Sequence, residues 1–202
     1  MPSSRPSNRR AAAPTSWERV ANWYQGHLRQ DDFLQRDVVI PGTLSLLADH
    51  FSREPHLDVA CGEGTFAQAF LRAFRDRAYV GIDASPSLIQ HAQHKRLPRA
   101  TFLVDDAQAL TRLPREQRFG SASCILAAQN IAQPERLFRA LSHKLLPGSP
   151  LVLTLNHPCF RQPRQSGWGW DEERKIQYRR IDRYLGTYEM PILAHPGKDA
   201  SI

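Results

Sequence analysis

The sequence predicts an α/β domain built on a doubly wound, mostly parallel sheet. Three observations predict it: five short apolar runs between Leu57 and Asn156, stretches of helical periodicity between them, and a glycine turn directly after the first run. Parallel strands need crossover connections, and the crossovers cover both sheet faces, so the strands read as unbroken apolar runs.

From Ser16 to about Gln30, Trp17, Val20, Ala21 and Tyr24 recur at helical spacing behind Ser16 as a possible N-cap, which predicts an amphipathic entry helix. A second helix is expected over Pro41 to Phe51. The run His56 to Ala60 is too short for a helix and ends in the glycine turn, so it is the first strand. Strand and helix then alternate: helix Phe66 to Phe74, strand Ala78 to Ile82, helix Ser87 to His94, strand Thr101 to Val104 followed by a polar loop. Strand Ala122 to Ala127, helix Pro134 to Leu145 and strand Pro150 to Asn156 complete the series. Pro86 and Pro134 fall where the first turn of a helix tolerates a missing N–H, and Leu146-Pro147-Gly148 turns the last helix into its strand. Phe160 to Tyr184 is rich in Arg, Gln, Gly and Trp without a clean period. It reads as an acceptor-side insertion, and no further pair of apolar strands follows before Ile202.

Length and composition fit one domain of 202 residues. Three divisions are expected: a disordered basic tail over 1–15, a cofactor-binding domain over 16–156, and an acceptor-side segment over 157–202. No run reaches the roughly 20 apolar residues of a membrane span, and no secretory signal opens the chain, so a cytoplasmic protein is expected. Cys61, Cys124 and Cys159 lack paired or metal-type spacing, which argues for reduced thiols and no metal. The net charge of +7 raises a polyanion as partner. Part of that charge sits in the tail, at Arg5, Arg9 and Arg10. The arginines between Arg161 and Arg183 are interleaved with Asp171, Glu172, Glu173 and Asp182, so nucleic acid is not the expected partner.

The chemistry concentrates at Leu57-Asp58-Val59-Ala60-Cys61-Gly62-Glu63-Gly64-Thr65. Gly62 and Gly64 let the backbone bend sharply and approach a ligand. Because Gly62-x-Gly64-x-x-Ala67 also satisfies the looser dinucleotide fingerprint, an NAD-dependent oxidoreductase is an alternative. Three acids bear on the choice. Asp58, at the end of the first strand, can hold a ligand ammonium. Asp83, ending the second, can accept both hydroxyls of a ribose and serves either cofactor. Asp106, after the third, can accept an adenine's exocyclic amine, and it favours a sulfonium nucleoside over a dinucleotide. Asp105 is the competing adenine partner, and the other role for one of the pair is to cap the next turn.

With Tyr79-Val80-Gly81-Ile82-Asp83-Ala84-Ser85, Val104-Asp105-Asp106-Ala107 and Leu126-Ala127-Ala128-Gln129-Asn130-Ile131, the chain resembles the class I S-adenosylmethionine-dependent methyltransferases. Within them it is similar to the type 11 group of small-molecule and quinone-biosynthesis enzymes. The resemblance spans about Trp17 to Tyr184. It implies a Rossmann-like sheet and S-adenosylmethionine as cofactor. It also implies that Asp58, Ala60, Cys61, Gly62 and Gly64 shape the methionine side, Asp83 and Ala84 the ribose side, and Asp106 with Ala107 the adenine side. Gln129 matches the position facing the methyl group; apart from the resemblance, Trp23 and Tyr24 on the entry helix could form a lid over the cofactor, and the alternative is ordinary packing. Two departures stand out: Ala60 replaces the commonest glycine of the loop, and the last two strands of the usual seven are not apparent. An incomplete sheet would leave an unpaired edge open to a homo-oligomer, or make the chain a truncated, non-catalytic cofactor-binding module.

The implied reaction moves a methyl group to a small, apolar or aromatic acceptor at oxygen or carbon. His157, in Asn156-His157-Pro158-Cys159-Phe160 at the end of the fifth strand, is the candidate catalytic base; the alternative is a residue that caps the strand or binds the acceptor without moving a proton. An Asn-Pro-Pro-type motif of amino-group enzymes belongs after the fourth strand, so its partial likeness here does not indicate N-methylation. Cys159 lacks the companion signature of a cytosine-C5 nucleophile. Trp168, Trp170, Tyr178 and Tyr184 could line an acceptor pocket, and the alternative is ordinary packing.

Overall fold

The computed structural model describes residues 34–50, 52–157, 166–182 and 184. The expected entry helix with Tyr24, and Cys159, lie outside the described residues. Helix α1 (Ile40–Ala48) follows one wide turn, Gln35–Val39, and takes Pro41 in its first turn. Then come β1 (His56–Val59), α2 (Thr65–Ala73), β2 (Tyr79–Asp83), α3 (Pro86–His94), β3 (Ala100–Val104), β4 (Ser121–Ile125), α4 (Pro134–Lys144) and β5 (Leu151–Thr154). The five strands pair in parallel in the order β3-β2-β1-β4-β5, so the expected doubly wound sheet forms. Among the described residues no helix is long and apolar enough to cross a membrane.

Each helix starts and buries itself for a local reason. The Ser85 hydroxyl accepts from Leu88 N at 3.3 Å and Pro86 fills the first turn of α3, while Pro134 does the same for α4. In α2, Phe66, Ala67, Phe70 and Leu71 form one buried stripe; in α4, Leu137 and Leu141 do. One core joins Leu47, Phe66, Phe70, Tyr79, Ile89 and Phe102 beneath α1, α2 and α3. The other joins Leu57, Val59, Ile82, Phe119, Leu137 and Leu141 beneath α4. Burying a side chain such as Phe70 or Phe119 stabilises the fold by about 2–3 kcal/mol, and both are fully buried.

The link from β3 to β4 has no helix. Its backbone polar groups are satisfied instead by two buried charged side chains. Asp105 accepts from Thr111 Oγ1 at 3.0 Å and from Arg112 N at 2.8 Å, and Lys144 Nζ donates to Pro114 O at 2.6 Å.

The stretch without a clean period holds an antiparallel hairpin, β6 (Ser166–Asp171) and β7 (Ile176–Ile181), separate from the main sheet. Glycines alternate with its tryptophans, which hides the strand pattern: a Cβ at Gly169 would run into the ring of Tyr178 across the pair. The Arg179 guanidinium lies 5.2 Å from the centre of the Trp168 ring. Trp168 and Trp170 are still 61% and 52% exposed.

Candidate active site

The strand order reverses between β1 and β4, and in open parallel sheets a crevice opens at that point beyond the strands' carboxyl ends. Here it is a cleft lined by Gln35, Asp58, Ala60, Cys61, Gly62, Glu63, Thr65, Phe66 and Ile125. Four of the residues singled out in the sequence, Asp58, Ala60, Cys61 and Gly62, therefore share one wall. Gly64 adjoins them as the residue that opens α2.

The turn is held by β2. Gly62 N donates to Asp83 Oδ2 at 2.9 Å and Cys61 N to Ile82 O at 2.9 Å, while Asp83 Oδ1 accepts from Ser85 N at 2.9 Å. Asp83 thereby anchors the turn to the start of α3. Gly62 has φ +56° and nothing within 4 Å of where a Cβ would stand, so its backbone faces open space. Gly64 and Gly81 are required for the opposite reason: a Cβ on either would come within 2.9 Å of the Phe102 ring. Ala60 takes the left-handed conformation at φ 57° that glycine would hold without strain.

Asp58 is almost completely buried. Ser123 Oγ donates to its Oδ1 at 2.6 Å, and the Tyr79 hydroxyl donates to its Oδ2. Burial pushes its carboxyl up from 3.8 to about 6 despite the Ser123 and Tyr79 hydrogen bonds, and the negative Asp83 adds to the rise. Burial, with the Asp58 and Asp83 carboxylates, pushes the Cys61 thiol well above its ordinary range, which leaves it a packing side chain rather than a thiolate.

Beyond β3 the adjacent acids divide. Asp105 is buried and spent on the loop; Asp106 is exposed, and its Oδ1 accepts from Gln108 N at 2.9 Å. Asp105 N donates to Asp83 O at 3.0 Å, which laces the end of β3 to that of β2. Asp83, the last residue of β2, and Ala84, Asp106, Ala107, Gln129 and His157, which follow carboxyl ends of strands, do not line the cleft at Asp58. Gln129 lies on the turn Ala128–Asn130 with its Nε2 2.8 Å from Leu126 O, and His157 is exposed three residues past β5. His56, Tyr79 and Ser123 are functional residues outside the predicted site; their signal in the sequence is that of polar residues at every second position of strands that must be buried on both faces.

A glycine turn open to a ligand at the switch point, with acids ending three adjacent strands, defines a nucleotide-cofactor-binding α/β domain. Comparison with known proteins specifies it further. Residues 57–148 match the family described as "Methyltransferase domain". The ubiquinone biosynthesis O-methyltransferase of Coxiella burnetii is 27% identical over 109 residues, 52% of this chain and 44% of that protein. The trans-aconitate 2-methyltransferase of Yersinia pestis is 31% identical over 113 residues, 54% of this chain and 42% of that protein. An S-adenosylmethionine dependent methyltransferase of Mesorhizobium loti superposes with TM-score 0.58 at 26% identity, covering 71% of this chain and 64% of that one. Residues 57–148 are similar to S-adenosylmethionine-dependent methyltransferase domains in sequence and fold, and the chain spans less than half the length of the curated relatives it matches.

Proposed function

We propose that the protein transfers a methyl group from S-adenosylmethionine to a small apolar or aromatic acceptor, at oxygen or carbon. The observation that carries this reading is that Asp58, Asp83 and Asp106 stand at or just past the carboxyl ends of β1, β2 and β3, with Asp58 lining the cleft and Asp83 accepting from Gly62 N of the open glycine turn. The residues fit the cofactor group by group. Asp58 would hold its amino group, Asp83 and Ala84 the ribose, and Asp106 with Ala107 the adenine; Asp105, spent on the loop, leaves Asp106 for that role. Ala60, Cys61, Gly62 and Gly64 shape the wall between them.

The cofactor supplies a methyl group already activated on a sulfonium, so the protein's work is to position the acceptor and exclude water. Gln129 would border the methyl side, and Tyr24 would close over the cofactor. His157 would take a proton only from an acceptor that still carries one at working pH. The hairpin offers Trp168, Trp170 and Tyr178 as an apolar acceptor surface, which supports a cofactor-binding unit over 16–156 and an acceptor side over 157–202. The O-methyltransferase name of one relative supports oxygen as the acceptor atom.

Calorimetry with S-adenosylhomocysteine tests the site. Asp83→Ala should weaken binding by about 1.5–3 kcal/mol through the loss of charge-assisted hydrogen bonds, and unchanged affinity would refute the assignment. A labelled-methyl screen over phenolic and carboxylic metabolite pools tests the reaction. Tight binding with no transfer into any pool would show a binding module instead.

A further inference from the structure

Behind the cleft runs a buried chain of polar side chains that the cofactor assignments leave unexplained. His56 and Asp58 lie two residues apart on one face of β1, opposite Ser121 and Ser123 on β4. The His56 ring stacks on Phe70, with centroids 4.4 Å apart, and is fully buried. Its Nδ1 is 2.7 Å from Ser121 Oγ, and its Nε2 is 2.9 Å from Ser123 Oγ. At the far end, Arg77 Nη2 donates to Ser121 Oγ at 2.8 Å.

The proton positions follow from what each group can do. Arginine only donates, so Ser121 accepts from Arg77. The Ser123 proton is committed to Asp58, so Ser123 must accept from His56, which puts the ring proton on Nε2. Burial holds His56 neutral, well below its ordinary 6.5, and the Arg77 charge reinforces this, so Nδ1 accepts from Ser121. Every donor then points the same way, from Arg77 through Ser121, His56 and Ser123 to Asp58. Aligned hydrogen bonds polarise one another. Reversing the chain would bring two donors onto Ser121 and leave its own proton without an acceptor in the chain, so Arg77 fixes the direction.

We propose that His56 is a positioning residue: held as the neutral Nε2–H tautomer, it aims the Ser123 hydroxyl at Asp58 and keeps Asp58 in the ionised form that a cofactor's ammonium group requires. This rests on Asp58 holding the cofactor's amino group. Of the other groups around Asp58, Tyr79 also donates to it, at Oδ2, and leaves Oδ1 to Ser123. Tyr79 and Asp83 face it from β2, Cys124 from β4, Cys61 and Glu63 from the turn, and Gln35, Thr65 and Phe66 complete the cleft. Lys95, at the end of α3, pairs with Glu63 at 3.4 Å.

Nitrogen NMR of labelled histidine in the wild-type protein should show His56 as the neutral Nε2–H tautomer from pH 6 to 8. An Nδ1–H tautomer or an imidazolium overturns the proposal without any variant. S-adenosylhomocysteine affinity against pH is the second measurement. His56→Phe should move the acid limb of binding upward by about half to one pH unit, a roughly two- to fivefold loss near pH 6 that closes by pH 8. His56→Gln, which can still donate to Ser123, should restore the wild-type profile, and Ser123→Ala should shift it as His56→Phe does. An equal loss at every pH would show a packing role only and overturn the proposal. The Asp58 reading fails separately: if Asp58→Asn binds as the wild type does at pH 8, both fall. If it loses binding while His56→Phe keeps the wild-type profile, only this inference falls.

Discussion

Replacing Asp58 by Asn should make the folded protein more stable at pH 8 and less able to bind its cofactor. Among the described residues no cation stands beside Asp58 to stabilise its carboxylate; burial holds its carboxyl near 6 against an ordinary 3.8. The folded state thus binds a proton more readily than the unfolded chain. Stability from this group is complete below about pH 4, declines as pH rises through 6, and is absent above it. At about 1.36 kcal/mol per pH unit, ionising Asp58 costs the fold about 3 kcal/mol at pH 8. The neutral amide of the Asp58→Asn variant escapes that cost, keeps an acceptor for Ser123, and turns its NH2 group toward Tyr79. The charge-assisted hydrogen bonds it gives up are already counted in that net rise, so the variant should gain about 3 kcal/mol at pH 8, roughly 6–12 °C in a domain of this size.

Thermal unfolding of both proteins at pH 8 and near pH 4 checks this. The gap should open as pH rises through 4 to 6 and vanish at the acid end, where Asp58 is itself neutral. His56, forced neutral in the fold, lowers stability as pH falls below 6.5, but it does so in both proteins and cancels from the difference. An Asp58→Asn protein that is less stable than the wild type at pH 8, or a gap that ignores pH, would refute the reasoning.

Gly81→Ala places a Cβ 2.8 Å from both Cys61 Sγ and the Phe102 ring, so it should cost about 1–3 kcal/mol in urea unfolding and push Cys61 toward the cleft, weakening S-adenosylhomocysteine. Adding Cys61→Ala should recover part of both losses, and purely additive effects would contradict the shared contact. Ala60→Gly removes left-handed strain of about 1 kcal/mol at φ 57° while freeing the unfolded chain by about 0.4–1 kcal/mol, so stability should stay within about 0.5 kcal/mol of wild type. A loss above about 1 kcal/mol would show that the strain is absent.

The sheet was legible because its signals are local. Each strand is a short apolar run, Pro86 and Pro134 mark helix starts, and the glycine turn fixes where β1 ends. The acids at the strand ends were legible for the same reason, since strand direction alone decides which end carries a site. The hairpin Ser166–Ile181 was not, because Gly167 and Gly169 replace the side chains whose alternation announces a strand. Nor could sequence divide Asp105 from Asp106. Their difference lies in Thr111 and Arg112, which the loop returns to Asp105 and not to its neighbour.

The polar chain beneath the cleft shows why a strand buried on both faces can carry His56 and Asp58 at all. An isolated carboxylate there would simply take up a proton. Ser123 and Tyr79 hold the carboxyl's rise to about 6, so at neutral pH a charge survives in a wall that water scarcely reaches. The burial that makes this charge costly to the empty fold also leaves it poorly solvated, so a cationic group has more to offer it than it would offer an exposed acid. Instability at Asp58 and affinity for an ammonium group therefore have one cause, and a substitution that relieves the first should abolish the second.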